Sequence, residues 1–335
     1  MAGVRLFSRI NIATEAVRGT PIAPTRQLYG DYEGSFKEDL GLDFHEGENR
    51  GQRTRIQHAT QTKEMVAVSF KSTNGVPYDV LPIFFSALNG TATAVGAGAD
   101  KTWTQDPVMA ATNSPKSFTL DVGDDVQNWR LQYVMWQTIK LAGSAGGLTS
   151  IEVSGFAQKA VKTAAAAVAA NQAIKIPGSL WTLKFAGTAA GLAGAAVQTN
   201  LMRDWEATIN TGLTAQDYAD GTLQFSQHQE SLDIGGSGVM TVDHTAGAIT
   251  EFYDKYHSNP PTLSFLRFRA TGPALGGSAY QAGFDLPVFY SDTDPLGGEQ
   301  DGVNLMKVPF VIANDVTSAK SIQSVVTVCS LTALP

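Results

Sequence analysis

The most constraining feature of this sequence is a pattern of apolar and polar residues that occurs twice. Residues 65–70 alternate as a half-buried strand requires, and a polar turn follows at 71–75. Residues 238–243 and a turn at 244–247 repeat this order about 170 residues later. Each turn leads into apolar residues at helical spacing, which are Val80, Leu81, Phe84, Phe85 and Leu88 in the first copy and Ile249, Phe252, Tyr253 and Tyr256 in the second. A strand, a turn and one amphipathic helix are therefore predicted twice.

Further segments around these units correspond in the same order. After the helices, the predicted strands at 116–122, 128–136 and 148–156 match those at 262–268, 278–285 and 304–312. Before them, a polar hairpin is predicted from 31–39 with 54–63, and another from 205–210 with 221–229. Leading strands at 5–7 and 181–185 complete the match. The sequence therefore predicts an internal duplication.

Composition favours β structure for both copies. Apolar residues make up 43% and charged residues only 16%, and the 33 glycines supply turns between short strands. We predict a mainly β fold of two tandem domains related by duplication, each a β-sandwich or partly open barrel with one flanking helix. The expected boundaries are an arm and first strand at 1–30, a first domain at 31–160 with a long loop at 90–115, an alanine-rich linker at 161–179, and a second domain at 180–335.

Several classes of protein are disfavoured. The first ten residues lack the apolar core of a signal peptide, and no apolar run approaches the ~18 residues of a membrane span, so neither is expected. The formal charge of −7 disfavours a protein that grips phosphate backbones. The single cysteine, Cys329, lies among apolar residues and is predicted to be a small buried hydrophobe.

No catalytic, metal or cofactor motif is found. The five histidines are scattered without the spacing of a zinc motif, and the acidic segments at 43–48 and 291–301 are interpreted as solvated loops. No serine stands in a nucleophile elbow, and the glycine cluster at 234–238 lacks the lysine of a phosphate-binding loop. We therefore expect no enzyme, no bound metal and no cofactor.

Residues 12–26, Ile-Ala-Thr-Glu-Ala-Val-Arg-Gly-Thr-Pro-Ile-Ala-Pro-Thr-Arg, resemble the start of phage tail tube proteins. In that family a Glu-x-x-x-Gly-Thr-x-x-x-Pro-Thr segment precedes the first sheet. The match here is carried by Glu15, Gly19, Thr20, Pro24 and Thr25. The strand, turn and helix unit and the strands after it extend the resemblance, as a pattern, over nearly the whole chain.

The resemblance implies a major tail protein of a long, non-contractile bacteriophage tail. Such proteins form stacked rings around a lumen through which genomic DNA passes. The implied partners are further copies of the chain, the tape measure protein and tail-end proteins, and the implied location is the virion tail, assembled in the host cytoplasm. Because the family usually builds a ring from six single domains, a duplicated chain predicts three chains with pseudo-sixfold symmetry.

Candidate surfaces follow from this hypothesis. A lumen through which DNA slides should be acidic or neutral, and the strand residues proposed to face it are Asp31, Glu33, Gln57, Glu206, Thr208, Gln224 and Ser226. The arginines at 50, 53 and 55 should point elsewhere or be paired. The arm at 1–30 and the loop at 90–115 are expected to contact neighbours, and the candidate inter-subunit residues are Glu15, Gly19, Thr20, Pro24 and Trp103.

Two alternatives remain open from sequence alone. A tandem β-sandwich that binds carbohydrate, or a capsid or host surface, would need exposed aromatic residues on loops, for which Trp103 is the one good candidate. The inner tube of a contractile tail or secretion machine would share the fold, but such a protein is normally a single domain.

Overall fold

The structure of the protein is a computed structural model. It describes residues 9–28, 32–46, 56–72, 74–109, 112–164, 168, 173–230 and 233–335. The secondary structure is 54% strand and 9% helix, which confirms the prediction of a mainly β fold.

The described residues of the first half form eleven strands and one short helix. The strands are β1 (Arg9–Thr14), β2 (Arg26–Gln27), β3 (Tyr32–Asp39), β4 (Leu42–Glu46), β5 (Ile56–Gln61), β6 (Met65–Ser72), β7 (Lys101–Gln105), β8 (Phe118–Gly123), β9 (Asn128–Ser144), β10 (Ser150–Ala157) and β11 (Lys159–Thr163). A 3₁₀ turn, Tyr78–Val80, leads into helix α1 (Leu81–Phe85), whose residues are all buried.

The described residues of the second half form ten strands, two short helical elements and one longer helical run at 246–256. The strands are β12 (Trp181–Ala186), β13 (Met202–Asn210), β14 (Leu213–Gln216), β15 (Gln227–Glu230), β16 (Gly235–Asp243), β17 (Ser264–Leu275), β18 (Ser278–Tyr290), β19 (Asp294–Gln300), β20 (Val303–Ile312) and β21 (Ser324–Cys329). The helical elements are a 3₁₀ turn (Gly178–Leu180), α2 (Gly191–Gly194), α3 (Ala246–Ala248), a π-helical turn (Ile249–Tyr253) and α4 (Asp254–Tyr256).

Each half is a sandwich of two antiparallel sheets. In the first half one sheet has the order β2–β1–β8–β9–β11, and the other has the order β3–β6–β10–β9. Strand β9 belongs to both sheets, since it turns from one to the other beside Tyr133, whose φ is +55°. The apolar residues of alternate positions in each sheet meet between the layers, as the amphipathic pattern requires.

The second half repeats these pairings in the same order. Strands β12, β17, β18 and β21 pair as β1, β8, β9 and β11 do, and β13, β16 and β20 pair as β3, β6 and β10 do. The registers show which residues of the two halves are equivalent. Phe156 of β10 lies opposite Ala67 of β6, and Val311 of β20 lies opposite Ser237 of β16, so Val311 is the counterpart of Phe156 and Ser237 is the counterpart of Ala67. The strand order thus matches the repeat seen in the sequence, while its origin in a duplication stays a prediction.

The two halves share a sheet. Strand β9 pairs with β13 over Thr138–Ser144 and Asp204–Asn210, which makes one sheet of the order β3–β6–β10–β9–β13–β16–β20–β19. Within the predicted linker, β11 extends to Thr163, and Lys175 and Pro177 form bridges to Pro77 and Leu148. The described ends of the linker therefore pack on the first half instead of separating two independent bodies.

The predicted hairpins pair differently from expectation. Strand β3 pairs with β6 and not with the predicted partner at 54–63; within that segment the described strand β5 pairs instead with β4. Likewise β13 pairs with β16, and the segment at 221–229 contributes β15, which pairs with β14. In each half, two strands that are consecutive in the sequence form a separate hairpin, β4 with β5 or β14 with β15. The strands before and after this hairpin pair with each other, β3 with β6 or β13 with β16.

Aromatic side chains fill the core of each sandwich. In the first half Trp136 lies 5.2 Å from Phe84 and 5.9 Å from Phe70, ring centre to ring centre. In the second half Trp205 contacts Trp181 at 4.6 Å and Phe268 at 5.2 Å. Cys329 is buried, as predicted, and burial raises the pKa of its thiol to about 12.

Candidate assembly surface

The strand pairing that joins the two halves has a defined register. Lys140 of β9 lies opposite Thr208 of β13, and Ala142 lies opposite Glu206. The ammonium of Lys140 stands 2.9 Å from the carboxylate of Glu206, so a cross-strand ion pair accompanies the ladder. This junction is an edge-to-edge contact between a strand of one half and a strand of the other.

The two end strands of the eight-stranded sheet, β3 and β19, are the counterparts of the two strands that meet at this junction. By the repeated ladders, β3 is the counterpart of β13, because each pairs with the strand that precedes the helix of its half. Strand β19 is the counterpart of the end of β9, residues 138–144. Each of them pairs with the next strand along the chain, β19 with β20 and β9 with β10. Among the described strands, β3 has a pairing register with β6 alone, and β19 has one with β20 alone.

The two open edges carry opposite charges at equivalent positions. Lys37 of β3 lies opposite Ala67 as Thr208 lies opposite Ser237, so Lys37 is the counterpart of Thr208. Asp294 of β19 lies opposite Lys307 as Lys140 lies opposite Glu152, so Asp294 is the counterpart of Lys140. Both side chains are exposed.

The backbone of Glu33 pairs with that of Lys71 on β6. Two other predicted lumen residues, Glu206 and Thr208, belong to one surface, the side of the eight-stranded sheet that faces away from the core. They alternate along β13 with the buried Trp205 and Ala207. We call this surface the polar face.

The remaining lumen candidates lie elsewhere. Gln57 is in the β4–β5 hairpin, which forms a separate two-stranded sheet. Gln224 donates to the carboxylate of Glu64 at 2.6 Å, and Ser226 donates to Asp220, so both belong to a loop that folds back on the chain. Asp31 and the arginines at 50, 53 and 55 lie outside the described residues. Alternation alone could not separate these hairpin residues from the sheet.

Charges on the polar face are mixed, and two of its lysines are matched by carboxylates. Lys71 lies 3.6 Å from Glu152 on the neighbouring strand, in addition to the pair between Lys140 and Glu206. Both pairs are half-exposed, so each contributes little to stability. Their effect is instead to neutralise two lysines that could otherwise bind phosphate.

The N-terminal motif forms a turn that is fixed to its own chain. The carboxylate of Glu15 is buried and accepts hydrogen bonds from the backbone of Gly19 at 2.9 Å and Tyr133 at 2.9 Å. It also accepts from the hydroxyls of Ser117 at 2.8 Å and Thr119 at 3.0 Å. These four donors explain why a glutamate stands here, since a buried charge needs such partners.

The other motif residues complete the same turn. Gly19 has a φ of +75°, in the left-handed region where glycine is least strained, and a Cβ there would lie 3.3 Å from the ring of Tyr133. Pro24 is buried, and Thr20 and Thr25 are exposed. The predicted inter-subunit role is therefore wrong for the side chains of Glu15 and Pro24, which have little surface to offer, and stays a prediction for Thr20 and for the backbone at Gly19.

The long loop at 90–115 is also occupied within the chain. Its strand β7 pairs with β21, and the buried indole of Trp103 donates to the carbonyl of Leu331 at 2.8 Å. Trp103 is thus a core residue and not an inter-subunit contact, which corrects the prediction. The alternating segment Lys101–Gln105 was the available signal, but its partner strand is too distant in sequence to be recognised.

A projecting hairpin of the second half covers one end of the first half. We call the described residues 211–230 and 233–234 the second arm. We call the described residues 40–46 and 56–64, which lie between β3 and β6 as the second arm lies between β13 and β16, the first arm. Phe225 of the second arm is buried between Tyr133 and Phe156, at 5.1 and 5.2 Å. Its carbonyl accepts a hydrogen bond from Gln158 at 2.8 Å.

A histidine takes part in this contact. The hydroxyl of Tyr133 lies 3.0 Å from Nδ1 of His228 on β15. Burial lowers the pKa of His228 below its usual value, Arg18 lowers it further, and Glu230 opposes the change. Since the folded protein disfavours the charged imidazole, this contribution to stability is present above the ordinary pKa near 6.5 and is lost as the pH falls below it.

We therefore expect acidification to weaken the docking of the second arm. The free energy of unfolding, measured by urea denaturation, should fall between about pH 7.5 and about pH 5.5 as His228 becomes protonated in the unfolded chain. His228→Gln should remove the part of this dependence that arises at the arm. An unchanged pH profile in His228→Gln would contradict the assignment.

The described part of the chain contains no group of three or more His, Cys, Asp or Glu side chains placed to hold a metal ion. No helix among the described residues is long and apolar enough to cross a membrane. Comparison of the sequence with models of known protein families finds no match, and no curated protein matches it.

Proposed function

We propose that this chain is a structural subunit that polymerises, and specifically the tail tube protein of a long-tailed bacteriophage. The observation that carries the proposal is the pair of open edges, β3 and β19, which are the counterparts of two strands already joined inside the chain. A surface that pairs head to tail with an equivalent surface generates a ring or a filament. Pairing also hides edges that would otherwise promote aggregation.

The ring contains three chains in this proposal. Each chain supplies two equivalent positions through the step from β9 to β13, and each contact between β19 and β3 repeats that step. Six positions, the usual number in the family that the N-terminal motif resembles, then require three chains. The eight strands of each chain form one continuous inner wall with those of its neighbours.

The polar face lines the lumen in this assembly. Two of its lysines, at 71 and 140, are paired with carboxylates, which supports a wall that holds DNA only weakly through its phosphates. DNA passes without specific binding, the tape measure protein occupies the lumen before it, and tail-end proteins cap the tube. The chain acts in the virion tail after assembly in the host cytoplasm, and we propose no catalytic role.

The carbohydrate-binding alternative loses its candidate residue. Trp103, the aromatic side chain on which it depended, is buried and donates to Leu331. The two matched halves disfavour the inner tube of a contractile tail, since a subunit of such a tube normally has a single domain. The phage tail tube therefore remains the function that the geometry supports best.

Electron microscopy of the purified protein tests the proposal. We expect rings or tubes whose cross-section shows six positions and threefold symmetry, with the loop at 90–115 visible at three of them. Six whole chains in each ring, giving twelve half-chain positions, would contradict the arrangement. Monomers at every concentration tested would contradict polymerisation itself.

A further inference from the structure

The two arms lie at equivalent places in their halves, but the apolar side chains of the second arm are buried and those of the first arm are exposed. Leu42 begins β4 three residues after Asp39, just as Leu213 begins β14 three residues after Asn210. Leu213 is 2% exposed and packs in the core, whereas Leu42 is 51% exposed. Phe44, two residues further along, is also half-exposed, while its counterpart Ala215 packs against the core.

The surfaces that the arms would cover differ in the same way. Phe156 is 3% exposed because Phe225 of the second arm lies over it. Its counterpart in the second half is Val311, which is 49% exposed and lies opposite Phe289 on the adjacent strand. Phe289 is 39% exposed as well, and we call these two residues the apolar patch.

Hydrogen bonds at the two sites confirm that they correspond. Gln158 donates its backbone NH to the carbonyl of Gln132 at 2.8 Å, and Ala313 donates to the carbonyl of Pro287 at 2.8 Å. Each bond closes the same end of its sandwich, two residues after Phe156 or Val311. The first arm therefore exposes apolar side chains that are buried in the second arm. The second half exposes the apolar patch, whose counterpart in the first half is covered by the second arm.

We propose that the first arm of each chain lies over the apolar patch of the next copy, as the second arm lies over the first half of its own chain. The occupant is a second copy because the first half meets the second half of its own chain through β9 and β13, on the side opposite to β3. Pairing of β3 with β19 brings the second half of a neighbour to the side from which the first arm projects. Burial of Leu42, Phe44 and the apolar patch then removes exposed apolar surface from water.

This inference rests on the proposed function but can fail separately from it. The test uses Leu42→Cys in one preparation of the full chain and Ser291→Cys in another, mixed before assembly. Ser291 is the counterpart of Gln137, whose side chain donates to the carbonyl of Leu213 at 3.0 Å. A short bis-maleimide linker should join the two variants into covalent dimers, while each variant alone should give none. The native Cys329 is buried and does not compete.

A second variant measures the contribution of the contact. Leu42→Ser with Phe44→Ser should raise the protein concentration needed for polymerisation about tenfold, because exposed apolar surface would no longer be buried on assembly. Val126→Ser, at an exposed valine in the β8–β9 turn, is the matched control and should assemble as the wild type does. Polymers that form normally in the double variant and give no mixed cross-link would overturn the inference and leave the proposed function standing. A wild-type chain that never self-associates would overturn the proposed function.

Discussion

Reversal of one charge at either open edge is expected to abolish polymerisation, and reversal of both should restore it. Lys37→Asp would place a carboxylate opposite Asp294 of the next copy, because these residues occupy the register positions of Thr208 and Lys140. A directly opposed pair of unlike charges stabilises a sheet by roughly 0.2–1 kcal/mol, and like charges destabilise it by a similar amount. The change at each junction is then about 1.4 kcal/mol, or about tenfold in affinity, and it is multiplied over the three junctions of a ring.

The double variant Lys37→Asp with Asp294→Lys restores the pair with its charges exchanged. Sedimentation velocity across a concentration series would measure assembly for the wild type, both single variants and the double variant. Lys162→Asp, on the exposed strand β11, serves as the control and should assemble normally. Double and single variants that are equally defective would show that β3 and β19 do not meet in this register.

Glu15→Ala is expected to destabilise the folded chain by about 3 kcal/mol, since it leaves four buried or half-buried donors without their acceptor. Urea denaturation at a concentration too low for assembly would measure the effect. Glu38→Ala, which removes an exposed glutamate, should change stability by less than about 0.5 kcal/mol. A Glu15→Ala chain of wild-type stability that fails to polymerise would show instead that this residue acts between subunits.

The repeat could be predicted from sequence because it is encoded locally. The alternation at 65–70 and 238–243 and the helical spacing after each depend on residues close together in the chain. The strands, the helices and their order along the chain could therefore be predicted from the sequence. The pairing of the strands could not be predicted, because β3 pairs with β6 although β4 and β5 lie between them in the sequence.

Residues of the candidate surface were harder to predict, for the same reason. Trp103 reads as an exposed loop residue until β21 is known to lie beside it. Glu15 reads as part of a family motif until its four donors are in place. Lys37, Asp294 and Leu42 carry no motif, and they become significant only when the ladders show which residues of the other half they match.

The pairing of β7 with β21 has a consequence for how the chain folds. Trp103 and Leu331, which it brings together, are 228 residues apart in sequence. The strands of the first sandwich pair over about half that separation or less, as in Arg9 with Gly123. Contacts between distant residues form slowly, because a large loop must close before any interaction compensates for the lost entropy. The first sandwich should therefore reach its final arrangement while the second still lacks an edge strand. During that interval the exposed edge of β21 is a site where a nascent or misfolded chain could be captured, so the rate of this single closure sets how long each new subunit is vulnerable.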